Sequence, residues 1–130
     1  MKRSIVEKEF EYKGFNCCVK LQALGHRCGY VQLPQRKIID TDEIDVHGGI
    51  TYKGTLFSEN DYWIGWDYAH CCDGKDYAAV IEKFDDEDNT KQILMIKDID
   101  EEFPLGERHV YTLAEVMEDC RSVVNQLIRF

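Results

Sequence analysis

The period of the hydrophobic pattern changes at Thr112, and this change constrains the fold more than any other feature of the chain. From there onward apolar residues recur at steps of three and four, which is the spacing of one helix face: Leu113, Val116, Met117, Cys120, Val123, Val124 and Leu127. Thr112 and Glu115 form the pattern of a capping box. We therefore predict an amphipathic helix over residues Thr112 to Ile128 whose apolar face packs on another layer.

Before this helix the chain is written mostly in strand patterns. Apolar and polar residues alternate, or β-forming residues cluster, in short segments bounded by Gly, Asn or Asp. Lys13 and Gly14 predict a hairpin turn, and an apolar stripe predicts a shorter helix over Asp76 to Phe84. The predicted strands are Ile5 to Tyr12, Phe15 to Leu21, Cys28 to Leu33, Gly49 to Tyr52, Tyr62 to Asp67 and Gln92 to Lys97.

These elements predict an α+β fold, a mainly antiparallel sheet of about five or six strands covered by the C-terminal helix. The length of 130 residues predicts one domain, residues 1–130. Small sheet domains often associate through their edge strands, so a homo-oligomer stays open.

The charge balance excludes several classes of partner. Sixteen Lys and Arg against 25 Asp and Glu leave a net charge of −9, which repels nucleic acid backbones and anionic membranes. We expect no direct binding of duplex DNA and no membrane partner. No apolar run approaches the ~18 residues of a membrane span, and the acidic and basic residues after Ile5 interrupt any signal-peptide core. A cytoplasmic location is therefore predicted.

The cysteines and the acidic runs each allow two interpretations. Six cysteines without a Cys-x-x-Cys motif favour free thiols over a structural zinc cluster. Acidic runs at residues 40–45, 85–88 and 98–102 are typical of solvated surface, although a negative face could also occupy a basic groove of a host protein. Basic residues are concentrated in the N-terminal third, which keeps an anionic ligand compatible with the acidic total: Lys2, Arg3, Lys13, Lys20, Arg27, Arg36 and Lys37.

The segment from Val46 to Asp73 has the composition of a site. Gly contributes no packing area, and Asp and His resist burial unless they are paired, so a core alone rarely needs this mixture. His47 with Gly48 and Gly49 could present backbone N–H groups to an anion, with Thr51 and Tyr52 adding hydroxyls. Alternatively, His47, Asp67, His70 and Asp73 could hold a divalent metal or act as acid and base.

Two further features extend the anion-binding interpretation. Arg27 offers a planar fork suited to phosphate or carboxylate. Tyr62, Trp63, Trp66 and Tyr68 lie within seven residues, more than one buried strand face holds, so some should face outward and stack on a ligand. The predicted ligand-binding set is Arg27, His47, Gly48, Gly49, Thr51, Tyr52, Trp66, Asp67, His70 and Asp73.

These segments resemble an uncharacterised group of small phage- and prophage-associated proteins. The resemblance rests on Gly25 to Val31, on His47 to Tyr52 and on Gly65 to Asp73, where the group has a Gly-(aromatic)-Asp-x-Ala-His-x-x-Asp segment. This chain has Cys72 where we expect a glycine. The resemblance implies an accessory or counter-defence (anti-defence) role for a viral protein in the host cytoplasm, either sequestering a host nucleotide or blocking a host defence protein.

Three functions follow, in order. The first is a binding module for a small anionic, nucleotide-like ligand. The second is a metal-dependent hydrolase built on His47, Asp67, His70 and Asp73. The third is an acidic inhibitor of a basic groove. No familiar nucleophile, P-loop or zinc-protease motif is present, which favours a binding protein over an enzyme and predicts no cofactor.

Overall fold

The computed structural model describes residues 1–34, 39–104 and 106–130. Arg36 and Lys37, two of the predicted basic residues, lie outside the described residues. The strands are β1 (Ser4–Tyr12), β2 (Phe15–Gln22), β3 (Arg27–Gln32), β4 (Tyr52–Gly54) and β5 (Trp63–Asp67). The α-helices are α1 (Tyr77–Phe84), α2 (Glu87–Glu102) and α3 (Leu113–Leu127). The predicted α+β fold with its C-terminal helix is confirmed.

The described strands form one antiparallel sheet in the order β1-β2-β3-β5-β4. Lys13 and Gly14 both take positive φ, which confirms the hairpin turn between β1 and β2. Gly29 pairs with Trp66 across β3 and β5. A Cβ on Gly29 would lie 2.5 Å from the Trp66 ring, so the missing side chain lets the indole lie across β3.

The main core lies between the sheet and α3. Every second residue of the central strands points to this side, including Cys17, Val19, Val31, Ile64 and Trp66. Helix α3 covers them with its fully buried stripe of Val116, Cys120, Val123 and Val124. Thr112 caps the helix through the predicted box with Glu115. Each large apolar side chain buried here contributes about 1.5–3 kcal/mol.

A second core cluster lies under α1 and α2. Leu21 and Ala23 at the end of β2 pack with Val80 and Phe84 of α1 and with Ile93 of α2. The helix α1 confirms the prediction over Asp76 to Phe84, since Asp76 is its N-cap.

The predicted strand over Gln92 to Lys97 is wrong, because this segment is part of α2. Asp86 caps α2 by accepting from the backbone N–H of Asn89. The buried Asn89 amide then exchanges two hydrogen bonds with the Lys2 backbone. A short apolar run fits both periods, and the cap and the anchor to the N-terminal segment favour the helix.

The predicted strand over Gly49 to Tyr52 is displaced, since β4 begins only at Tyr52. Gly48 and Gly49 have φ values of +70° and +76°, a left-handed backbone that interrupts an extended strand. No helix among the described residues is long and apolar enough to cross a membrane.

Candidate functional site

The candidate site lies at the end of β5, where two loops meet. Tyr52 of β4 pairs with Gly65 of β5, and the Thr51 N–H donates to the Gly65 carbonyl. Because the strands are antiparallel, the chain before Tyr52 runs beside the chain after Gly65. This pairing brings His47 alongside the loop that carries His70 and Asp73.

Three side chains converge there on one carboxylate. The Nε2 atom of His47 lies 2.8 and 3.0 Å from the two Asp73 carboxylate oxygens. The Nδ1 atom of His70 lies 3.5 Å from Asp73 Oδ2. One ligand atom from each residue falls within 4.8 Å of the others. Since the His47 and His70 side chains are 27% and 39% exposed, the cluster is open to solvent.

Asp73 is held as a carboxylate. Its side chain is only 3% exposed, and this burial by itself raises the pKa. Hydrogen bonds from the His47 ring and from the His70 backbone N–H act in the opposite direction and bring the pKa below its ordinary value. The deprotonated form is the one that binds a metal ion.

Asp67 forms the outer side of the cluster. Its Oδ1 lies 3.6 Å from Nε2 of His70 and accepts from the Ala69 N–H, while its Oδ2 accepts from the Thr51 hydroxyl. The His70 ring thus has Asp73 at one nitrogen and Asp67 at the other. Histidines that bind metals usually hold a carboxylate or carbonyl at the second nitrogen in this manner, which fixes the ring.

Aromatic rings set the orientation of His47. Its ring stacks on Tyr68 at 5.0 Å with an interplanar angle of 10°, and Tyr111 lies 4.6 Å away. Tyr68 is itself fixed in the core: its hydroxyl accepts from Trp66 Nε1 at 2.8 Å and donates to Asp119 at 2.5 Å. His47 is therefore positioned before any ligand arrives.

The glycine pair serves the approach of His70. A Cβ on Gly48 would lie 2.3 Å from Cε1 of His70, whereas a Cβ on Gly49 would meet nothing within 4 Å. The Gly49 N–H donates to the Val46 carbonyl and so does not point to a ligand. Gly48 is needed for close approach, and both glycines supply the left-handed turn.

Three of the predicted ligand-binding residues lie away from the cluster. Arg27 is 4% exposed and is bound by Glu7, by Asp76 and by the carbonyl of Tyr111. Trp66 is 1% exposed. Tyr52 sits edge-on to Tyr30, and its hydroxyl donates to a backbone carbonyl. Of the four aromatics expected to include a stacking surface, Trp63 and Tyr68 are also buried, and only Tyr62 is partly exposed.

Sequence reasoning missed His109 and Tyr111. Tyr111 packs on both His47 and Tyr68, and the His109 ring lies edge-on to Tyr111. The His109 backbone is bonded to Cys72 and Gly74, so this segment borders the loop that carries Asp73. A His-x-Tyr pattern directly before a helix cap was the available signal, but nothing in the sequence relates it to residues 47–73.

Cys72 has a φ of +76°, the backbone conformation that favours glycine. The resemblance led us to expect glycine here, and the turn has that shape despite the side chain. Comparisons of the chain with protein-family models, with curated proteins and with solved structures find no match.

Proposed function

We propose that this chain is a hydrolase that depends on a divalent metal ion held by His47, His70 and Asp73. The observation that carries the proposal is the convergence of two imidazoles, from separate segments, on one deprotonated carboxylate. Two histidines and a carboxylate are a ligand set typical of zinc, iron and manganese enzymes.

The charges around the cluster favour a cation over an anion. Asp67 and Asp73 both face His70, so the local field is negative. The groups that would hold an anion are already engaged: Arg27 with Glu7 and Asp76, and the Thr51 hydroxyl with Asp67. The nucleotide-like ligand and the counter-defence role stay predictions.

The ligand count favours catalysis over a structural role. Structural zinc sites are closed by four protein ligands, whereas catalytic sites keep a position open for water or substrate. Here three ligands lie together and the two imidazoles are partly exposed. When bound, such an ion makes water acidic enough to supply hydroxide near neutral pH. Asp67 holds the His70 ring and is the nearest further group able to accept a proton.

Calorimetric titration with Zn²⁺ and with Mn²⁺ tests the metal site. We expect one ion per chain, and we expect His47→Ala and His70→Ala each to weaken binding at least ~10-fold. His109→Ala is the matched control, because His109 also pairs with a carboxylate, Glu115 at 2.8 Å, but lies outside the triad. Absence of binding, or an equal loss in His109→Ala, would overturn the site.

Hydrolysis is tested separately on the metal-loaded chain. The substrates are bis(p-nitrophenyl) phosphate and p-nitrophenyl acetate, and the expected result is release of p-nitrophenol that His70→Ala abolishes. Asp67→Asn should retain the metal and lose rate, since it changes only the partner of His70. Metal binding without hydrolysis above the His70→Ala background would restrict the ion to a structural role.

A further inference from the structure

Two adjacent thiols lie in the same loop, outside the His–Asp cluster. Cys71 and Cys72 are both exposed, and their Sγ atoms are 3.7 Å apart. The other four cysteines are buried or half-buried: Cys17, Cys18, Cys28 and Cys120. Among the described residues, no cysteine shares the group formed by His47, His70 and Asp73. The dithiol therefore presents a separate set of sulfur ligands to solvent.

The backbone around this dithiol is fixed on both sides. The Asp73 N–H donates to the His70 carbonyl, the His109 N–H donates to the Cys72 carbonyl, and the Gly74 N–H donates to the His109 carbonyl. Cys72 holds its positive φ within this frame, at a strain of about 1 kcal/mol or more for a residue other than glycine. The two sulfurs thus stand close together without the loop having to rearrange.

Their separation matches what one thiophilic ion requires. Two thiolates on a tetrahedral ion with bonds of ~2.3 Å lie ~3.8 Å apart, close to the observed 3.7 Å. Soft sulfur ligands select soft ions over magnesium or calcium. We propose that Cys71 and Cys72 form a bidentate dithiol site for thiophilic metal or metalloid ions, distinct from the His–Asp cluster.

Phenylarsine oxide is the probe for two thiols at this distance. In the reaction two As–S bonds form and the arsenic–oxygen bond breaks. The two thiol protons leave with that oxygen as one water molecule, and no electron is transferred. A single thiol forms only one As–S bond, so its adduct exchanges readily with another monothiol.

Intact mass spectrometry of the native chain reads the outcome. We expect one phenylarsenic group per chain, stable to glutathione and removed by dithiothreitol. Cys71→Ser and Cys72→Gly should each abolish the stable adduct, and glycine also suits the φ of +76° at position 72. Cys28→Ser, at a half-buried thiol, should keep it. A stable adduct in both single variants, or none in the unaltered chain, would overturn the proposal.

Cadmium separates this site from the His–Asp cluster. Thiolate ligation of Cd²⁺ produces a charge-transfer band in the ultraviolet that histidine and carboxylate ligands do not. We expect His47→Ala to keep this band and Cys71→Ser to lose it. The opposite pattern, or no band in the unaltered chain, would contradict a dithiol site whatever the fate of the proposed hydrolase.

Discussion

Two neighbouring glycines allow the role of His70 to be tested by steric contact alone. Gly48 and Gly49 have nearly the same φ, +70° and +76°. Alanine at either position therefore meets a similar backbone strain, about 1–2 kcal/mol. Only at Gly48 would the new Cβ meet His70, at 2.3 Å from Cε1, whereas at Gly49 it would meet open space.

The size of the displacement follows from these distances. Ordinary van der Waals contact begins near 3.4 Å, so the His70 ring must retreat by about 1 Å in Gly48→Ala. The ring is a partly exposed side chain, and its movement adds little to the loss of stability. Metal–ligand distances, however, tolerate deviations of only about 0.2 Å. The displaced ring can no longer bind an ion together with His47 and Asp73.

Urea denaturation and Zn²⁺ calorimetry read these effects separately. We expect both variants to lose a similar free energy of unfolding, about 1 kcal/mol. We expect Gly48→Ala alone to lose Zn²⁺ affinity, by at least about 10-fold, which corresponds to 1.4 kcal/mol. Equal Zn²⁺ affinity in the two variants would refute the reasoning, because His70 would then not be a ligand whose place depends on Gly48.

Two further predictions concern the surroundings of the site. The pKa of Asp73 is below its ordinary 3.8 in the folded chain, so the stability that it contributes is present above that pH and is lost as the pH falls through the lower folded value. The urea midpoint should therefore fall more steeply below about pH 4 in the unaltered chain than in Asp73→Asn, and parallel curves would contradict this. Arg27→Ala should lower the free energy of unfolding by about 3 kcal/mol or more, because the Glu7 side chain that it leaves is 1% exposed. Lys83→Ala removes the more exposed partner of Glu7 and is the control; an equally small loss in both variants would show that the buried pair matters little.

The sequence alone determined the elements whose signals are local. The apolar stripe and capping box of α3 and the Lys13–Gly14 turn depend on residues within a few positions of one another, and each was predicted. The composition of residues 46–73 also indicated a site. A local signal failed at Gln92 to Lys97, because a short apolar run carries no distinct period.

Only the tertiary structure decided which side chains of that segment meet. His47 reaches Asp73 because β4 and β5 pair in antiparallel register, and the first contact between them is 26 positions apart in the chain. Arg27 was expected at a ligand, but Glu7 from β1 and the N-cap Asp76 of α1 enclose it. Such contacts join residues that are distant in sequence, and the energy of pairing a buried charge depends on partners that no local pattern reveals.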